Sequence, residues 1–125
     1  MYNKNIDLNR KHLFLKKNLY EGLNNLNDGF DTLSIYYFNN EDFLVLLKRA
    51  KKIGVIIHGV ETWHKGKFYD VLSYNDFDAN FNDNNWYFLA LEKFTRTNII
   101  LLYSASYYIP EELLVSVSKE DIEGK

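Results

Sequence analysis

The chain has 125 residues, the length of one domain, and its 46% hydrophobic and 26% charged residues are typical of a globular protein, which excludes disordered, collagen-like and coiled-coil chains. The absence of cysteine excludes disulfide bonds and thiolate metal sites. The formal net charge of −2 argues against a protein that binds nucleic acid directly through bulk positive charge.

The N-terminal part of the chain predicts a helix followed by a strand. Between Lys11 and Asn27, leucines recur at helical spacing and form one stripe of an amphipathic helix. The turn-forming sequence that begins at Asn27 and ends at Gly29 predicts the end of this helix. Residues 30–38 (FDTLSIYYF) are rich in β-branched and aromatic residues and therefore predict a strand.

The clearest predicted element is a helix over residues 40–53. Two acids lie in its first turn and four basic residues lie towards its end, an arrangement that opposes the helix macrodipole at both ends. Gly54 follows at the position where a helix usually stops.

A hairpin is predicted directly after this helix. Residues 55–60 (VIIHGV) are apolar on both alternating faces, which predicts a buried strand. A turn at residues 64–67 leads into residues 68–74 (FYDVLSY), which we expect to pair with the first strand.

The last third of the chain predicts a helix, a strand and a short helical turn. The helix covers residues 85–95 and is capped by Asp83 or Asn84. Residues 98–103 (NIILLY) form the most hydrophobic predicted strand, which we expect at the centre of the sheet. Pro110, followed by two acids, predicts the start of a short helical turn.

The order of predicted elements is therefore α-β-α-β-β-α-β. Because the strands are joined by one hairpin and by helices, we predict an α+β fold with a mostly antiparallel sheet and helices packed on it. No internal repeat or linker divides the chain, so residues 1–125 are expected to form a single domain, with residues 118–125 as a charged, frayed tail.

The location of the protein is predicted from its apolar segments. The first five residues, MYNKN, contain no apolar segment of the kind that directs secretion, and no stretch approaches the roughly eighteen uninterrupted apolar residues of a membrane span. We therefore expect a cytoplasmic protein without a membrane partner.

One sequence pattern superficially resembles a zinc site. His58, Glu61 and His64 follow each other at intervals of three residues. On a strand, residues three apart point to opposite faces, and Gly59 with the β-branched residues before it argues against a helix. We therefore predict no metal site.

The chain also lacks a phosphate-binding loop and a nucleophile elbow, so no cofactor, no catalytic residue and no enzymatic activity are predicted.

Acidic and aromatic residues alternate in the C-terminal half of the chain. Residues 61–125 contain six Lys or Arg and eleven Asp or Glu, and residues 71–92 contain four acids and no Lys or Arg. These acids either cap helices and turns locally or form a recognition surface for a basic partner. The candidate partner-binding residues are Glu61, Trp63, Asp70, Asp76, Asp78 and Asp83.

Residues 50–63 (AKKIGVIIHGVETW) resemble a segment of small bacterial immunity proteins. In those families, which neutralise tRNA-cleaving colicins and the toxins of contact-dependent growth inhibition, a helix ending in A-x-x-x-G leads into an apolar strand. A Gly, an apolar residue, an acid and an aromatic residue follow. The resemblance covers residues 40–103, over which the hairpin, the acidic connection, the helix and the last strand come in the same order.

The resemblance implies a cytoplasmic inhibitor that binds the C-terminal catalytic domain of its cognate toxin, a basic nuclease, and covers the active site. Transferred position by position, it points to Glu61, Trp63 and Asp70, and more weakly to the three acids of the connection.

The alternative from a different class is a small-molecule-binding or enzymatic domain with an aromatic-lined pocket. Its lining would be formed by aromatic residues from four segments of the chain, namely Tyr36, Tyr37, Trp63, Tyr74 and Trp86.

Overall fold

A three-stranded antiparallel sheet with helices packed against it forms the centre of the computed structural model, which describes residues 4–115. The fold is α+β, as predicted; the predicted tail at residues 118–125 lies outside the described residues. In chain order the elements are α1 (Lys4–Leu15), a π-helical turn (Lys16–Tyr20), α2 (Asn40–Ile53), β1 (Ile56–His64), β2 (Lys67–Ser73), a 3₁₀ turn (Tyr74–Phe77), α3 (Trp86–Thr95), β3 (Leu102–Tyr108) and α4 (Glu111–Leu114).

The strand order is β2-β1-β3, so β1 is the central strand. Because side chains alternate along a strand, β1 separates two chemically different faces. Val60 and Thr62 are fully buried on the face that packs against α2 and α3, the helix face. Glu61 and Trp63 lie on the opposite face, the outer face, and are only partly buried.

The helix face is held by aromatic contacts with α2 and α3. Phe43 of α2 stacks on Tyr103 of β3 with ring centroids 5.2 Å apart. A bulge in β1 between Ile57 and Gly59 disturbs the pairing with β3. The indole Nε1–H of Trp86, at the start of α3, donates to the Ile57 carbonyl over 3.1 Å in the interior. The buried indole thus has a partner for its only donor.

The predicted helix at residues 40–53 is confirmed, since α2 covers those residues. The Asn39 side chain accepts a hydrogen bond from the Asp42 amide over 2.8 Å, as an N-cap should. Gly54 ends the helix with φ of 91°, a left-handed conformation that glycine adopts without a side-chain clash, and its N–H bonds the Ala50 carbonyl. The hairpin of β1 and β2 and the helix α3 are confirmed as well.

The N-terminal helix ends seven residues earlier than predicted, at Tyr20. Gly22 then turns the chain with φ of 81°. From there the side chain of Asn25 accepts the amides of Asn27 and Tyr37, each over 3.0 Å. Local bonds from asparagine side chains thus replace the helical ladder that the leucine spacing predicted.

The predicted strand at residues 30–38 is wrong apart from a single bridge. Phe38 and Tyr103 exchange two backbone hydrogen bonds of 2.8 Å, which cover the outer edge of β3. The preceding residues form a loop. Side-chain bonds from Asn27 hold that loop in place of a strand partner.

The last strand is shifted and is not central. β3 begins at Leu102, four residues later than predicted, and it pairs on one side with β1. Ile100, in the predicted strand, is 87% exposed before the sheet begins. The apolar run of residues 98–103 includes four residues before the strand as well as its first two residues, Leu102 and Tyr103. Hydrophobicity alone did not indicate that the strand begins at Leu102.

We predict that Ile57→Ala lowers the free energy of unfolding by about 2–5 kcal/mol, because Ile57 is fully buried in the central strand and its removal leaves a cavity. Ile100→Ala is the matched control and should change it by less than about 0.5 kcal/mol, since Ile100 is exposed. Chemical denaturation measures both. Equal effects of the two substitutions would contradict this assignment of the core.

We predict that burial of Tyr87 makes the protein less stable at alkaline pH. Burial, followed by the charge of Asp83, raises the pKa of Tyr87 to about 12, whereas an unfolded tyrosine titrates near 10. As the pH rises, Tyr87 therefore loses its phenolic proton in the unfolded chain before it does so in the folded protein. The stability that follows from this pKa shift is complete below about pH 10 and declines by about 1.4 kcal/mol per pH unit up to about pH 12.

The Tyr87→Phe variant isolates this effect. The Tyr87 hydroxyl is buried without a hydrogen-bond partner in the described part of the chain. We expect the variant to be as stable as the wild type at pH 7, or more stable by up to about 2 kcal/mol. Its stability should decline less steeply in alkali. Denaturation curves from pH 8 to 12 measure both effects, and an unchanged alkaline slope would contradict the prediction.

Candidate functional site

The outer face of the sheet carries small, apolar and acidic side chains. Phe68 and Val71 of β2 are 55% and 49% exposed on it. The residues in register across β2, β1 and β3 are Ser73, Gly59 and Ser106 in one row, followed by Val71, Glu61 and Ser104 in the next. This face is therefore accessible beside Glu61.

The centre of the site is one phenol hydroxyl between two carboxylates. The oxygen of Tyr37 lies 2.7 Å from Asp31 Oδ2 and 2.7 Å from Glu61 Oε2. Glu61 Oε2 also accepts the indole Nε1–H of Trp63 over 2.6 Å. A phenol has one proton, so Tyr37 donates to one carboxylate at a time. Burial, together with hydrogen bonds to the two acids, raises the pKa of Tyr37 well above its ordinary value, and the hydroxyl stays protonated.

Three further aromatic rings, those of Phe30, Trp63 and Phe68, lie next to this group. The Phe30 ring lies 4.9 Å from Tyr37 and 5.1 Å from Trp63, measured between centroids. Phe68 meets Trp63 edge to face at 6.4 Å. We call the set of Phe30, Asp31, Tyr37, Glu61, Trp63 and Phe68 the paired-carboxylate surface. It combines two acids with exposed aromatic area, of which Phe68 contributes most.

Asn27 fixes the loop that delivers Phe30 and Asp31 to this surface. Its amide nitrogen lies 2.8 to 3.3 Å from the carbonyl oxygens of Asp31, Thr32 and Ile35, which share its two hydrogens. Its side-chain oxygen accepts the Gly29 amide over 3.0 Å. One nearly buried side chain thus organises a loop that the sheet itself does not pair.

No basic residue of the described chain forms an ion pair with Asp31 or Glu61. Two ion pairs between described residues, Arg10 with Glu111 and Arg96 with Glu92, lie away from this surface. The two carboxylates therefore share one hydrogen-bond donor, the Tyr37 hydroxyl, and neither is paired with a cation among the side chains that the structure describes. Like charges held this close repel each other, and an opposite charge from outside would relieve that repulsion.

The structure brings two of the candidate residues, Glu61 and Trp63, into contact, whereas the other four lie elsewhere. Asp70 lies in the edge strand β2 and Asp76 lies in the 3₁₀ turn that follows it, and the side chain of each accepts a backbone amide of β2. Asp83 Oδ1 accepts the amides of Asn85 and Trp86 over 2.7 and 2.8 Å and caps α3. These two bonds lower the pKa of Asp83.

Asp78 is exposed at the end of the 3₁₀ turn, where it adopts φ of 52°. Among the described residues its side chain has no hydrogen-bond or ion-pair partner. It is therefore the one acid of the predicted connection whose charge is not engaged locally in the part of the chain that the structure describes.

The two histidines of the zinc-like pattern have separate surroundings. The His58 ring stacks on Phe81 with centroids 5.4 Å apart, and His64 Nδ1 lies 3.0 Å from the Ile100 carbonyl oxygen. Within residues 4–115, no three His, Asp or Glu side chains are grouped as a metal site requires. Nor is any helix of that range long and apolar enough to cross a membrane.

The aromatic residues of the alternative pocket do not come together as one group. Tyr37 and Trp63 are in contact, with ring centroids 5.8 Å apart. Tyr36 instead stacks on Tyr20, and Tyr74 contacts Phe81. Trp86 is buried in the core beside Phe77.

Sequence reasoning missed Asp31, Phe30 and Phe68 as members of the site. Asp31 lay inside a predicted strand, where an acid next to one aromatic residue carried no special signal. The cluster of asparagines before it is a sign of a structured loop, because Asn side chains bond backbone groups nearby. That loop is what places Asp31 beside Glu61.

Comparisons with protein-family models, curated proteins and solved structures found no match to this chain. The site is therefore interpreted from its own chemistry.

We predict that Asn27→Ala lowers the free energy of unfolding by about 1–3 kcal/mol, because it leaves several loop carbonyls without their donor. Asn80→Ala is the control, since Asn80 is exposed, and should change stability by less than about 0.5 kcal/mol. Denaturation followed by circular dichroism measures both. A tolerated Asn27→Ala would show that the loop is held by other contacts.

Proposed function

We propose that this protein is a cytoplasmic immunity protein that binds the catalytic domain of a bacterial toxin, a basic nuclease, and covers its active site without any catalysis of its own. The observation that carries this proposal is the pair of carboxylates on Asp31 and Glu61. Both carboxylates are hydrogen-bonded to the Tyr37 hydroxyl at the accessible outer face. Among the side chains that the structure describes, no cation neutralises their charge.

The electrostatic part of the proposal follows from that pair. A nuclease binds phosphates with Lys and Arg side chains, so its cleft is positively charged. An arginine of such a cleft offers a planar fork of N–H donors that matches carboxylate oxygens and stacks on aromatic rings. Glu61, Asp31 and the neighbouring rings present both features in one place. The carboxylates would thus occupy the positions of substrate phosphates.

The apolar part of the proposal rests on Phe68 and Val71. Both are about half exposed on the outer face, beside the partly buried Trp63. Aromatic side chains near the middle of an interface, surrounded by contacts that exclude water, carry most of its binding energy. Burial of this patch by the partner would also strengthen the charge interactions next to it, since it removes water from them.

The partner is testable through the neighbouring gene. We expect the gene immediately upstream to encode a large secreted protein with a toxic C-terminal domain. That domain, purified, should bind this protein in surface plasmon resonance and lose its nuclease activity on binding. A C-terminal domain that neither binds nor is inhibited would contradict the proposal.

The charged and the apolar residues of the surface are expected to affect different rate constants of toxin binding. Asp31→Asn/Glu61→Gln should slow association and make its salt dependence shallower, because charges act on the encounter of the two proteins and are screened beyond about 8 Å at physiological salt. Phe68→Ala should raise the dissociation rate by about tenfold or more. Glu112→Gln, on the exposed α4, is the charge control and should change neither rate.

Circular dichroism of each variant guards against loss of fold. If the double variant associates at the wild-type rate in low salt while it stays folded, the paired-carboxylate surface does not meet the toxin.

A further inference from the structure

The strand β2 forms one edge of the sheet, and its outward backbone groups can be identified. The Thr62 hydroxyl donates to the Asp70 carbonyl over 2.8 Å, so the backbone groups of Asp70 face β1. Because neighbouring residues of a strand direct their backbone groups to opposite sides, those of Val71 and Ser73 face away from the sheet. These outward N–H groups would be available to a further strand.

Both outward N–H groups are occupied by carboxylates. Asp70 Oδ1 accepts the Val71 amide over 2.8 Å, and Asp76 Oδ2 accepts the Ser73 amide over 2.8 Å. A bulge between β1 and β2 leaves Tyr69 without a partner on β1 and so interrupts the regular edge on the other side of Val71. The regular part of the edge therefore has both of its donors capped by aspartate.

The side chains of β2 would otherwise favour association. Phe68, Tyr69 and Val71 are all exposed. An exposed edge strand with apolar side chains pairs readily with another chain, and native proteins prevent this with charges, bulges or a covering segment. The opposite edge of the sheet has such a segment, since Phe38 bonds Tyr103 of β3.

We propose that the β2 edge is a latent strand-pairing surface for a second copy of this chain, and that Asp70 and Asp76 keep it closed. An antiparallel pair of β2 strands about a two-fold axis places the same surface on both copies, as symmetric dimers require. Such a pair would join the two sheets into one and needs the Val71 and Ser73 amides as donors. The proposal is independent of the toxin partner.

The test compares removal of the caps with removal of their charge alone. Asp70→Ala/Asp76→Ala frees both amides, and the variant should form a concentration-dependent dimer in sedimentation velocity. Asp70→Asn/Asp76→Asn loses the same two charges but keeps a side-chain oxygen on each residue, and it should remain monomeric, like the wild type. Asp78→Ala, which removes an acid with no bond to β2, is a further control and should also be monomeric.

Each other outcome overturns the proposal. If the Asn variant also dimerises, charge repulsion and not the amide caps keeps the copies apart. If neither double variant dimerises, or the wild type already does, the edge is not held closed by these residues. Should the Ala double variant fail to fold, amide exchange in the wild type decides: the Val71 and Ser73 amides must exchange more slowly than the uncapped amides of the exposed turn at residues 65–66, and equal rates contradict the caps.

Discussion

The hydrogen bonds of the Tyr37 hydroxyl with Asp31 and Glu61 are the interaction on which the arrangement of this molecule depends most. They connect the loop of residues 25–38 to the central strand through side chains, because that loop has only one backbone bridge to the sheet. The next residue, Phe38, is buried in the core and covers the edge of β3 with its backbone. A single stretch of chain thus completes the sheet and builds the outer face.

The acids of the β2 edge, the α3 cap and the paired-carboxylate surface differ in what they bind. Asp70, Asp76 and Asp83 accept backbone amides one to three residues away and stabilise an edge, a turn and a helix start. Asp31 also accepts the neighbouring Thr32 amide, but Asp31 and Glu61 both bond the Tyr37 hydroxyl, which joins them across a long sequence separation at an accessible face. This division explains how a chain of net charge −2 presents a localised negative surface without a strongly acidic composition.

The elements that the sequence predicted well are those whose signals are local. The start of α2 at Asn40, its end before Gly54 and the hairpin that follows depend on neighbouring residues, and all are found as expected. The capping role of Asp83 belongs to the same class, since an Asp just before a helix is a local signal.

The features that the sequence could not predict depend on contacts between distant segments. Residues 30–38 have the composition of a strand, yet Asn27 supplies the loop's carbonyls with a donor and leaves only Phe38 for the sheet. The approach of Asp31 to Glu61 is a consequence of that loop and has no counterpart in residue spacing. Three of the six residues of the paired-carboxylate surface, Phe30, Asp31 and Phe68, were therefore identified only from the structure.

The central claim is that the outer face, around Asp31 and Glu61, is the surface that recognises a basic toxin domain. Hydrogen–deuterium exchange of the protein, free and bound to the catalytic domain encoded by the upstream gene, tests this claim most directly. We predict slower exchange on binding at residues 30–37 and 61–71, with α2 and α3 unchanged. Protection confined to α2 and α3, with residues 30–37 and 61–71 exchanging as in the free protein, would contradict it.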